Sequence, residues 1–286
     1  MSIAADANTS ENVPKSDPNA KPTQTVPVVV FRDVSIAFDL KSVLEHISFS
    51  VDPGETLILL GPAGCGKSVL MKLANGLICP DSGTIEVFGK DVTKMAEVDL
   101  YKLRGRIGMV FQESALFDSL SVEDNIAYRL HEDGTPEEES HTRVVQALEF
   151  VDLENVIDKF PSELSGGMRR RVSIARAIIN GPDLILYDSP TGGLDPITST
   201  TIVELIIKQR DVSHATSLLI THRLQDAFTL AMNRFNQETC KMELIPDGGI
   251  DPSTCFLVLN DGKVVFHGTT EELVHTTDPW LKNFIS

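Results

Sequence analysis

The sequence predicts an α/β protein, with a mixed, mainly parallel sheet at its core and a helical subdomain inserted in it. Three observations carry this. The continuous apolar runs Leu184-Ile185-Leu186-Tyr187 and Ser217-Leu218-Leu219-Ile220-Thr221 each follow a stretch of helical periodicity. That is the pattern of parallel strands buried on both faces. A glycine-rich loop joins the apolar run Thr56-Leu57-Ile58-Leu59-Leu60 to a helical stretch, Lys67 to Leu77. Between Glu123 and Leu164, apolar Val144, Val145, Leu148 and Val151 recur at helical spacing in a polar background.

Taken in order, residues 1–26 are rich in Asn, Pro, Ser, Thr, Lys and Ala without apolar periodicity, and are expected to be a flexible tail. Residues 27–286 are expected to form one domain. Its early strands are the short β-branched and aromatic runs Val28 to Phe31, Ile47 to Phe49, Thr56 to Leu60, Thr84 to Phe88 and Ile107 to Phe111, bounded by Gly, Pro or Asp. The helical subdomain spans about 113–180, and its acidic turn, Glu132 to Glu139, reads as a solvated loop. No fixed-period repeat or sustained heptad is present, which excludes solenoid, propeller and coiled-coil architectures.

The 286 residues are 42% hydrophobic and 23% charged, enough for a large core and unlike a disordered or collagen-like chain. The longest apolar runs fall far short of the ~20 residues that cross a bilayer, so no membrane span is predicted. Lys and Arg number 25 against 41 Asp and Glu, and the net charge of −16 argues against a nucleic-acid partner. The four cysteines, Cys65, Cys79, Cys240 and Cys255, have neither CxxC nor zinc-ligand spacing, which points to a reducing cytoplasm. The opening Met1-Ser2-Ile3-Ala4-Ala5-Asp6 lacks the basic and apolar segments of a secretory signal.

Gly61-Pro62-Ala63-Gly64-Cys65-Gly66-Lys67-Ser68 fits G-x-x-x-x-G-K-[ST] in full, in the strand-loop-helix setting the motif requires. Its glycines let successive backbone N–H groups turn inward to cradle phosphate oxygens, and the helix start adds favourable partial charge. Lys67 is expected to reach the β- and γ-phosphates, and Ser68 to ligate Mg²⁺. Asp188 ends the run Leu184 to Tyr187, where a second magnesium contact is needed, because ligands gather at the carboxyl ends of strands in such sheets.

Leu164-Ser165-Gly166-Gly167-Met168, running into Arg169 to Ala177 with Gly167 lying 21 residues before Asp188, resembles the signature motif of ATP-binding cassette (ABC) ATPases. The resemblance runs from about Val28 to Gly268 and implies a P-loop NTPase of ABC type. It implies that Ser165, Gly166 and Gly167 contact the γ-phosphate held by another copy, so that a homodimer encloses two ATP with Mg²⁺. Phe38 resembles the adenine-stacking aromatic. Gln112 resembles the glutamine at the helical-subdomain junction, which contacts magnesium and water. Gly192-Gly193-Leu194-Asp195 resembles the D-loop, placing Asp195 at the nucleotide, and His222 resembles the switch histidine. The catalytic set so implied is Gln112, His222 and the residue after Asp188, Ser189.

A narrower resemblance concerns Glu113 to Tyr128, Asp195-Pro196-Ile197-Thr198 and the tail Asp278-Pro279-Trp280-Leu281-Lys282-Asn283-Phe284. These are similar to the ATPase subunits of Mla/Mce-type phospholipid transporters. This implies a cytoplasmic, peripheral subunit powering an integral membrane permease, with an MCE-type lipid-binding protein as a further partner. In ABC transporters the region beside the glutamine receives a coupling helix, so Leu116, Phe117 and Leu120 are either partner-facing or core residues.

Two departures stand out. Residues 233–255 form an apparent insertion, whose Cys240 and Cys255 are a disulfide pair or, as a reducing compartment favours, free thiols. Ser189 stands where most of the family carries a glutamate that polarises the attacking water. A serine hydroxyl can position water but cannot take its proton at neutral pH. Slow ATP hydrolysis is therefore expected. The rivals are a nucleotide switch with negligible hydrolysis and an ABC protein outside transport.

Overall fold

A computed structural model describes residues 26–286; the expected tail lies outside the described residues, except for exposed Val26. From the N-terminal side, β1 (Val29–Phe38), β2 (Lys41–Val51) and β3 (Thr56–Leu60) precede α1 (Lys67–Ala74). Next come β4 (Ser82–Val87), β5 (Lys90–Asp91), α2 (Glu97–Arg104) and β6 (Ile107–Val110). The helices α3 (Val122–Glu132), α4 (Glu137–Phe150) and α5 (Gly166–Ile178) lead to β7 (Leu184–Asp188), α6 (Pro196–Ser213), β8 (Thr216–Ile220) and α7 (Leu224–Met232). The chain closes through β9 (Asn233–Asn236), β10 (Lys241–Leu244), β11 (Thr254–Asn260), β12 (Lys263–Thr269), α8 (Thr270–Val274) and α9 (Pro279–Ile285).

The core sheet has the order β12-β11-β3-β8-β7-β6; its pairings are parallel except that of β12 with β11. Strand side chains alternate between faces, and here both faces are covered. Leu57, Leu59, Leu184, Leu186, Leu218 and Ile220 pack with α1 and the antiparallel strands. Ile58, Leu60, Ile185, Tyr187 and Leu219 pack with the helical subdomain and α6. This double covering is why the sequence shows continuous apolar runs rather than alternation.

A second, antiparallel sheet of order β2-β1-β4-β5 covers the α1 face, with Phe31 and Phe49 stacked 4.6 Å apart. The runs expected as strands at Val28 to Phe31 and Ile47 to Phe49 fall in β1, from Val29 on, and in β2, and both strands extend past them through polar and irregular residues such as Asp33, at φ 52°. The helix expected to reach Leu77 stops at Ala74. Gly76, at φ 62°, turns the chain so that its amide and that of Leu77 fold back on the Leu73 and Lys72 carbonyls.

In the helical subdomain Val144, Leu148 and Val151 are buried as expected, and Val145 only partly. Buried Asn125 accepts from the Phe117 amide and donates to the Phe117, Leu120 and Ser121 carbonyls, pinning the segment before α3. The expected insertion contains the hairpin β9-β10. Arg210, buried on α6, secures it by donating to the Leu230 and Asn233 carbonyls and pairing with Asp211 and Asp251. Cys240 and Cys255 are free thiols, and burial first, then Glu55, pushes Cys255 up to about 12.

Candidate functional site

Parallel pairing brings the carboxyl ends of β3, β8, β7 and β6 into one row. Side by side there lie the glycine-rich loop after Leu60, His222 after β8, Asp188 and Ser189 at the end of β7, and Gln112 after β6. Residues scattered over more than a hundred positions thus converge through sheet order alone.

The loop has the form the motif predicts. Gly66 caps α1 at φ 105° with no side-chain acceptor, and a Cβ there would lie 2.5 Å from Leu44 Cδ2. At Gly61 a Cβ would lie 2.3 Å from the Leu259 carbonyl oxygen. Only glycine lets the loop close against β11 and β2 at these points. Lys67 is 4% exposed, and its Nζ donates to the Gly61 and Pro62 carbonyls, both at 2.8 Å, and to Cys65 Sγ at 3.6 Å. It pairs with no carboxylate among the described residues. A buried ammonium held by two carbonyls and a sulfur, with no counter-charge beside it among the described residues, is a strongly anion-seeking group.

Around it, the Ser68 side is exposed, Asp188 is half-buried, and Ser189 is 3% exposed with its Oγ 3.5 Å from Asp188 Oδ1. Exposed His222 is held below the ordinary imidazole value by partial desolvation and by the Lys67 ammonium, with Asp188 opposing. Both charges are therefore within electrostatic reach of the ring, and desolvation together with Lys67 outweighs Asp188, which favours the neutral form. A cavity of about 470 Å³ lies between Gly61, Pro62, Ala63, His222, Leu224 and Phe284 of α9. This neighbour was not legible in the sequence, since Phe284 and the loop are joined only by folding. Phe38, at the end of β1, is 46% exposed.

The signature residues lie elsewhere. Ser165 caps α5, accepting from the Met168 amide at 3.2 Å, while Ser165 and Gly166 are exposed. A Cβ on Gly167 would lie 2.4 Å from Thr198 Cγ2, so glycine there lets α6 pack against the start of α5. Asp195 caps α6, accepting from the Ile197 and Thr198 amides at 3.1 and 3.0 Å and from the Thr198 hydroxyl, which together hold its carboxyl below the usual range. Its carboxylate is thus engaged within the chain. Of the three apolar candidates after Gln112, Leu116 turns inward to the larger core cluster, Leu120 is half-buried and Phe117 is 45% exposed. Phe117 borders an apolar groove of about 360 Å³ with Phe111, Met109, Tyr128 and Arg176.

A phosphate-binding loop on a parallel sheet, with a separate signature helix, defines a P-loop NTPase of the ABC type. Residues 44–192 match the ABC transporter family. MlaF of Escherichia coli (strain K12), named as the ATP-binding protein of an intermembrane phospholipid transport system, is 34% identical over 259 residues, covering 90% of this chain and 88% of that protein. MetN 2 of Bacillus anthracis, a methionine import ATP-binding protein, is 43% identical over 243 residues, or 85% of this chain and 67% of that one. Among solved structures, the dimeric ATP-binding cassette MJ0796 bound to ADP and Pi superposes with a TM-score of 0.70 at 25% identity, covering 84% of this chain and 98% of that one. This chain belongs to the ABC transporter family and is the ATPase subunit of a transporter. Such subunits bind ATP, dimerise and work with membrane components. No helix of the described residues is long and apolar enough to cross a membrane itself.

Proposed function

We propose that this chain hydrolyses ATP as a homodimer to power a phospholipid-transporting permease, lying in the cytoplasm against the inner face of the membrane. An MCE-type lipid-binding protein completes the assembly. The observation that carries the nucleotide reading is Lys67, a buried ammonium with no carboxylate partner among the described residues, set in a loop that closes only with glycine.

In this reading Lys67 and the loop amides hold the β- and γ-phosphates, Phe38 stacks on adenine, and Ser165 to Gly167 reach the γ-phosphate held by the other copy. Asp195 acts at the nucleotide edge by fixing the start of α6. Ser68, Asp188 and Gln112 are the residues that would hold Mg²⁺, which neutralises charge on the phosphate oxygens. Phosphoryl transfer draws mainly on positioning and electrostatics. Ser189 and Gln112 therefore orient the attacking water, and neutral His222 accepts a hydrogen bond from that water or donates its ring N–H to a γ-phosphate oxygen. Hydrolysis is slow because no carboxylate follows Asp188. The groove bordered by Phe111, Phe117 and Tyr128 supports docking of a permease coupling helix.

The phospholipid assignment rests on the similarity to MlaF across 90% of this chain. The higher local identity to MetN 2 favours a second reading, amino-acid import. A mild-detergent pull-down from native membranes, with partner proteins and bound lipid identified by mass spectrometry, separates the two. Recovery of a permease with phospholipid and an MCE-type protein supports the proposal, and a permease with an amino-acid-binding protein overturns it. The buried Ser189 motivates the further alternative of a switch that scarcely hydrolyses. Magnesium-dependent turnover above that of Lys67→Ala, raised by Ser189→Glu, excludes the switch.

A further inference from the structure

The signature helix carries a side chain whose contacts lead back to the hydrolytic loops. Arg170, one turn into α5, is 4% exposed. Its Nη1 donates to the Ser189 carbonyl at 3.3 Å and its Nη2 to the Gln112 carbonyl. The Nε is buried without an acceptor among the described residues, and desolvation lowers the guanidinium pKa while Glu113 opposes this. A buried cation with an unmet donor stabilises a fold poorly compared with an aliphatic side chain of the same volume. Its value lies in what its planar fork can fix: two carbonyls at a defined separation, which a point charge cannot match.

One of the two carbonyls belongs to a residue whose backbone needs fixing, and the other to its neighbour in the site. Ser189 has φ 48°, a left-handed conformation that persists in a non-glycine residue only when its surroundings over-determine it. Its amide donates to the Ile220 carbonyl at 3.0 Å, and its carbonyl accepts from the Gly192 amide at 2.9 Å as well as from Arg170. The Gln112 side chain lies against Gly192, where a Cβ would come within 3.3 Å of Gln112 Cγ. Gln112, Ser189 and Gly192 thus form one unit, and Arg170 is the side chain from the signature helix that holds it.

We infer that Arg170 is a positioning residue for hydrolysis, setting Gln112 and Ser189 from the helix whose N-terminus faces the other copy's nucleotide. The inference rests on the proposed function, in which α5 reads the γ-phosphate bound by one copy while Gln112 and Ser189 serve the nucleotide of their own. A shift of α5 is then felt at the chain's own water-orienting groups, so the two nucleotide sites are linked through one guanidinium. Arg176, further along α5, grips the same segment by donating to the Ala115 and Ser114 carbonyls at 2.8 and 3.2 Å. Among the described residues it makes no hydrogen bond to Ser189.

The test uses the full chain in its transporter, with Arg170→Met, which keeps length and loses the donors, and Arg170→Lys, which keeps charge and loses the fork. Both are expected to lower kcat by on the order of 10- to 100-fold while the ATP KM stays within about twofold, with the thermal midpoint measured alongside. Ser189→Glu, expected to raise turnover in the parent, should gain nothing on Arg170→Met, because an unfixed backbone no longer aims the new carboxylate. If Arg170→Met does not fold, Arg170→Lys carries the same comparison. A folded variant with kcat near that of the parent, or the same gain from Ser189→Glu in both backgrounds, overturns the inference alone. A parent with no turnover above Lys67→Ala overturns the ATPase reading and this inference together.

Discussion

The phosphate loop and the signature segment are built alike and finished differently. Each is a glycine-containing turn that opens a helix, α1 or α5, and so presents backbone amides at a helix N-terminus. At the phosphate loop the chain supplies the rest of a binding site: buried Lys67, half-buried Asp188, and His222 and Gln112 on neighbouring strand ends. At the signature, exposed Ser165 and Gly166 stand apart from that row, and the nearest packed neighbours are Leu194 and Thr198 of the D-loop and α6. The first is a site with its charges in place. In the proposed function the second is half of one, completed by the triphosphate of another copy.

The comparison is sharpened by breaking each half in turn. Removing the cation has the largest expected effect. Lys67→Ala should lower magnesium-dependent turnover by at least about 10²-fold, the scale of losing one preorganised charge-stabilising donor, and should weaken ATP binding measured by calorimetry. Unchanged affinity and turnover would refute the phosphate-loop assignment. Ser165→Arg should act differently, leaving single-copy ATP affinity close to that of the parent while abolishing the ATP-driven increase in mass seen by light scattering. Loss of ATP affinity in that variant would show that the two halves are not separable.

The smallest expected effect tests the electrostatics of the first half. In the nucleotide-free chain His222 should titrate below the ~6.5 of a free imidazole, since desolvation and Lys67 disfavour its charged form. Lys67→Ala should raise that midpoint, and Asp188→Asn should lower it further, because Asp188 favours the imidazolium. The sign carries over to stability. As pH falls through the unfolded value, the unfolded chain binds a proton that the folded chain refuses, and that part of the stability is lost. NMR titration of the ring reads all three, and a midpoint that ignores both substitutions would separate His222 from the site.

The first half was legible in the sequence because its determinants are contiguous or sit at strand ends. Gly61 to Ser68 is a single stretch of residue types with one physical use, and Asp188 closes an apolar run whose parallel pairing follows from its burial on both faces. What escaped detection depends on contacts between distant residues. Arg170 stood in a run of three arginines that looks alike in sequence, and only folding shows it bonded to the Gln112 and Ser189 carbonyls. Leu116 and Phe117 are adjacent and equally apolar, yet one turns into the core and the other toward the groove. The hairpin within residues 233–255 is tethered to Arg210, more than twenty positions away, and its strands are four residues each, too short for a periodic signal.

The central claim, that each ATP site is composed of the phosphate loop of one copy and the signature of another, is tested most directly by mixing the two broken forms. Lys67→Ala chains keep an intact signature and Ser165→Arg chains keep an intact phosphate loop. A mixed pair therefore contains one site in which both halves are whole. The account predicts that two preparations inactive alone regain magnesium-dependent ATP turnover when combined and reassembled with the permease. A mixture no more active than either variant alone would contradict it.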